Sequence, residues 1–140
     1  MDISEHKDEA FYPSDCKLNI MLGRQREVEK LFAHVEGVPE RLIFGKLENL
    51  HNPEVCRHIT DNILWRIVQE TNEAVVALKN GKTWRQEKYF TDVNEYLDEV
   101  ADIFIYFMNL CLASGIDEDL LIQIVTKKIK VNEQRIKSKY

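Results

Sequence analysis

The stretch from Val93 to Ser114 is apolar on nearly every side, yet a single polar line runs through it. Glu95, Glu99, Asp102, Tyr106 and Asn109 recur at three- and four-residue steps, so on an α-helix they stack along one face. Around them stand Val100, Ile103, Phe104, Ile105, Phe107, Met108 and Leu110. A helix that is apolar all round is a buried helix, and a polar line on it must face either a site or a satisfied internal network. Any fold for this chain has to place that line. Glycine (5) and proline (3) are scarce among 140 residues and no long alternating apolar/polar run occurs. The expectation is therefore an all-α fold, a four-to-five-helix bundle that self-associates because Ile103–Leu112 is more apolar than a small bundle can bury alone.

The punctuation of the chain divides it into a polar N-terminal tail (residues 1–15) and one helical domain (residues 16–140). A first helix carries Leu18, Met21, Gln25, Val28, Phe32 and Val35 at heptad spacing, with Gly37 and Pro39 as its stop signals. Between Pro39 and His51 a short helix is expected, weakened by Gly45. Asn52-Pro53-Glu54 reads as N-cap, N1 proline and acidic first turn. The second long helix should run to about Lys79, with Leu64, Ile67, Val68, Val75 and Leu78 on its apolar face and Trp65 in the core. A loop at 82–90 carries Trp84. Asp92 and Glu95 open the third long helix, Gly115 ends it, and Asp117 caps the last.

Charge and cysteine usage exclude several function classes. The formal net charge of −5 disfavours a nucleic-acid partner, and the cationic last helix lacks interleaved aromatics. Cys16, Cys56 and Cys111 contain no CxxC pair, which argues against a disulfide framework or a zinc site and suits a reducing compartment. His6, His34, His51 and His58 lack metalloprotease spacing. No signal peptide is visible, and the longest apolar run, interrupted at Asn109, is too short to cross a bilayer. A cytoplasmic protein without membrane contact is the expectation.

Two acidic pairs at i, i+3 spacing carry the chemistry. Asn62, Arg66, Glu70 and Glu73 share a face of the second helix, and Glu99 and Asp102 lie in the apolar third. Taken alone, Glu70/Glu73 would be an ordinary solvated face and Glu99/Asp102 could serve structural salt bridges. Carboxylates beside a buried helix are costly unless a positive partner neutralises them, and an all-oxygen set points to Mg²⁺ or Mn²⁺. On the last helix Lys128, Asn132 and Arg135 continue the row begun by Leu121 and Val125. Alone they would be a favourable cationic helix end; together with bound cations they form the charge layout for gripping a polyphosphate. A di-iron bundle would need Glu-x-x-His, and this chain has Glu73 and Asp102 in the histidine positions.

Glu70-x-x-Glu73, Lys82-x-Trp84, Glu99-x-x-Asp102 with Ile103-Phe104-Ile105-Tyr106-Phe107, and Lys128-x-x-x-Asn132-x-x-Arg135 follow one another in an order that resembles the all-α NTP pyrophosphatase superfamily. Within it the chain is most similar to the dimeric dUTPase branch, including phage dCTPase/dUTPase-type enzymes, and more distantly to MazG. Met21-Leu22-x-x-Gln25-Arg26 resembles the segment that supplies a base-contacting glutamine. The chain ends Ser138-Lys139-Tyr140, without the family's frequent closing glycine. The resemblance implies that Glu70, Glu73, Glu99 and Asp102 hold Mg²⁺, with Glu70 or Glu73 as general base. Lys128, Asn132, Arg135, Tyr140 and Lys82 would contact phosphates, and Gln25, Asn62 and Trp84 the base and sugar. The implied reaction is hydrolysis of a nucleoside triphosphate, foremost dUTP, to monophosphate and pyrophosphate. The implied assembly is a homodimer, with a tetramer as the alternative. Rival readings are a dCTP-directed or broader MazG-like enzyme and a non-catalytic helical interaction protein on the same scaffold.

Overall fold

The computed structural model describes residues 17–78 and 92–139, and every regular element among them is helical. The N-terminal tail, the 82–90 loop with Lys82 and Trp84, and Tyr140 lie outside the described residues. Helix α1 spans Lys17–Glu36, α2 is the short turn Glu40–Ile43, and a 3-10 turn covers Leu47–His51. One long rod follows, made of α3 (Pro53–Ile59), a π-helical turn (Thr60–Leu64) and α4 (Trp65–Leu78). Helix α5 (Val93–Ser114) runs back along it, and α6 (Glu118–Lys139) leaves at a bend of 111°. No single helix among the described residues is long and apolar enough to cross a membrane.

Helix ends fall where the capping chemistry puts them. Asn52 Oδ1 accepts from the Glu54 N–H (2.9 Å) and the Val55 N–H (3.4 Å) ahead of Pro53. Asp92 Oδ1 accepts from the Glu95 N–H (3.0 Å), and Asp117 Oδ1 from that of Leu120 (2.8 Å). Gly115 closes α5 in the left-handed region (φ 76°), which a side chain disfavours.

The core sits where α3, the π turn and the end of α5 meet: Leu42, Val55, Ile59, Ile63 and Ala113, backed by Ile67 and Leu110. The π turn has a packing cause. Val55, Ile59, Ile63 and Ile67 are spaced by four, and on an ideal α-helix each such step drifts by about 40°. One wider turn within the run offsets the drift and keeps all four against the core. Gly45 also has a role that its helix-weakening reputation hid. Its N–H donates to the Leu112 carbonyl (2.9 Å), and a Cβ there would overlap the Ala113 carbonyl. Glycine is needed because two backbones touch.

Several faces expected in the core lie at the surface instead. On α1 the inward residues are Leu22, Gln25 and Ala33, while Val28, Phe32 and Val35 of the heptad row point out. Trp65 is 61% exposed, and Leu64, Val68 and Val75 on the same rod are also exposed. Only the last turns of α5, from Met108 to Ser114, are largely buried; Val100, Phe104 and Ile105 are open. On α6 only Leu121 is buried and Val125 is not. Helical periodicity groups apolar residues by face, but it cannot tell a face turned to this chain's core from one left outside it.

Candidate metal centre

The backbone N–H of Asp92 donates to the carbonyl of Ala77 (3.2 Å), tying the start of α5 to the end of α4. From that bond Glu70 lies about two turns down α4, and Glu99 about two turns along the antiparallel α5. Equal offsets of whole turns bring the two to the same height and the same side. Glu73, one turn from Glu70, joins them. One carboxylate oxygen from each of Glu70, Glu73 and Glu99 lies within 4.8 Å of the others. Glu99 Oε2 is buried and has no hydrogen-bond partner.

Three acids this close cannot all ionise at ordinary cost. The carboxyl of Glu70 is raised from 4.5 to about 7, first by desolvation, then by its contact with Glu99 and the negative field of Glu73 and Asp102. Glu99 is also raised, chiefly by desolvation. A bound cation would offset that cost more fully than protonation does. The donor set fits a hard divalent ion. Oxygens around Mg²⁺ at about 2.1 Å would be roughly 3 to 4 Å apart, close to the spread here, and the cluster holds neither thiolate nor imidazole. Glu99 Oε2, buried and unpartnered, is the atom a cation would satisfy. Asp102 stands outside the mutual 4.8 Å group and acts on it through its field.

The remaining candidate residues are distributed differently. Asn62 lies inside the π turn, and its amide contacts His58 Nδ1 at 3.2 Å; the turn interrupts the row Asn62–Arg66–Glu70–Glu73 at its first step. Gln25 is buried, and its Nε2 donates to Asn109 Oδ1 (2.8 Å) and to Glu29 Oε1 (3.4 Å). Lys128, Asn132 and Arg135 are exposed on α6. About 20 Å of α5 separates Glu99 from the bend, and Lys128 is roughly 15 Å further along α6, so this chain does not bring the cationic row beside its own acids. The polar line of α5 therefore divides. Its first half faces the acids of α4, and Asn109 in its second half completes an internal network with α1. Glu29 was missed in the sequence; its signal was the i, i+4 spacing from Gln25 on a face that turns inward. Burial holds the Glu29 carboxyl above its ordinary value, countered in part by hydrogen bonds from Asn109 and Gln25.

No protein-family model, curated protein or solved structure matches this chain.

Proposed function

We propose that this protein is a Mg²⁺-dependent nucleoside triphosphate pyrophosphatase that acts foremost on dUTP. The reading rests on one observation: Glu70, Glu73 and Glu99, from two antiparallel helices, converge to within 4.8 Å around a buried, unpartnered carboxylate oxygen. Glu70, Glu73 and Glu99 would hold the ion, with the Asp102 carboxylate adding its negative field. When bound, Mg²⁺ lowers the pKa of water and offsets charge on phosphoryl oxygens. Glu70 or Glu73 would act as the general base that takes the proton from the attacking water. The water oxygen bonds to the α-phosphorus, the bridging bond to the β-phosphate breaks, and pyrophosphate departs. Glu73 shares the ion-holding face, one turn along α4.

A second copy completes this reading. Leu31, Val35, Trp65, Val68, Val76, Ile129 and Ile136 stand exposed on three different elements, more apolar surface than a lone soluble chain commonly shows. A homodimer covers such faces, and the partner's Lys128 and Arg135 are the cations, with the partner's Asn132 a hydrogen-bond donor, available to grip the triphosphate of a site whose own α6 points away. The test is turnover of dUTP, dCTP, dTTP and ribonucleotides with and without Mg²⁺, following pyrophosphate release. Mg²⁺-dependent release with dUTP favoured supports the assignment; preference for dCTP or breadth across bases moves it to the MazG-like alternative. Absence of hydrolysis across the panel leaves the non-catalytic interaction protein.

A further inference from the structure

We infer that Gln69 and Arg66 form a relay that sets the Glu73 carboxylate for its cation, a role that rests on the metal reading above. Along the rod, the exposed Arg66 donates through Nη1 to Gln69 Oε1 (3.0 Å), and Gln69 Nε2 donates to Glu73 Oε1 (3.2 Å). The direction of this chain is forced by chemistry. A guanidinium only donates, so the amide oxygen of Gln69 must face Arg66; its NH₂ is then left facing Glu73, and a carboxylate only accepts. The amide cannot reverse without losing both bonds.

The consequence falls on Glu73. A glutamate side chain with no such partner samples several rotamers, and all but one must be given up when an ion binds. Holding Oε1 removes part of that freedom beforehand and leaves the rest of the carboxylate for a cation. Partners behind a metal-binding side chain act in this way generally, with effects of about 10- to 100-fold on affinity. Arg66 contributes by orienting the amide. Gln69 is thus a positioning residue, and Arg66 positions Gln69.

Mn²⁺ is the probe, titrated by calorimetry and by the electron paramagnetic resonance signal of the free ion. Wild type should bind it, and Gln69→Ala should bind it about tenfold more weakly. Arg66→Ala should lose less than Gln69→Ala. In a Glu73→Gln background the Gln69→Ala change should have no further effect, since the group it positions is gone. Arg66 and Gln69 are exposed, so thermal melts of the ion-free Arg66→Ala and Gln69→Ala variants should match wild type. Unchanged Mn²⁺ affinity in Gln69→Ala, beside a wild type that binds, overturns the relay alone. An equal loss in the Glu73→Gln background overturns it as well, by showing that Gln69 acts elsewhere. A wild type that binds no Mn²⁺ sinks the cation reading and takes the relay with it.

Discussion

Glu70 and Glu99 are side chains whose burden in the ion-free protein should be measurable. Because folding raises the Glu70 carboxyl from 4.5 to about 7, the folded chain binds more protons than the unfolded one between those values. The stability linked to that proton is fully present below about 4.5 and is lost as pH climbs through about 7. Melts of ion-free wild type from pH 5 to 8 should therefore fall relative to Glu70→Gln, which has no such proton to lose. Mg²⁺ should raise the melting temperature more at pH 8 than at pH 5. Glu99→Gln makes a paired prediction: relieving like-charge repulsion should raise the ion-free melting temperature, while the Mg²⁺-induced rise disappears and turnover drops by more than about 100-fold. A Glu99→Gln protein with unchanged turnover would remove Glu99 from the site. The acids stood out because their i, i+3 spacing sits in so apolar a context, but spacing did not say that Glu70, Glu73 and Glu99 meet while Asp102 stays outside. Nor was the orphaned Oε2 legible, since it depends on what α4 places opposite.

Among the helices, local rules travelled well and contacts between distant segments did not. Asn52, Asp92 and Asp117 cap the helices they precede, and a cap needs only its own next three residues. The π turn and the Gly45–Ala113 contact require knowledge of which helix lies alongside, which spacing within one segment does not contain. Gly45→Ala should cost about 1–3 kcal/mol through the clash with the Ala113 carbonyl, read as a lower urea midpoint with unchanged slope. Asn52→Ala should cost about 1 kcal/mol, the value of an N-cap, and a loss within error would show the cap to be replaceable by water.

For the chain taken together, the helical class was legible from scarce glycine and proline, whereas the outward turn of so many apolar rows was not. The inward face of α1 runs through Gln25 and Glu29, and no hydropathy rule would choose it over Val28, Phe32 and Val35. Such a surface predicts a species of at least twice the 16.5 kDa chain mass in sedimentation experiments. Ile129→Glu, on an α6 face 52% exposed, should return part of it to single chains. A wild type that sediments at the single-chain mass would remove the partner copy from the proposal. The Asp92–Ala77 bond carries a last implication, for how this protein can change over time. With the two helices stapled at that point, extra residues between them need not disturb the acids, so the connector is free to lengthen. One residue inserted between Asp92 and Glu99 is another matter: it would swing Glu99 by about 100° and shift it about 1.5 Å, breaking the cluster at a single stroke.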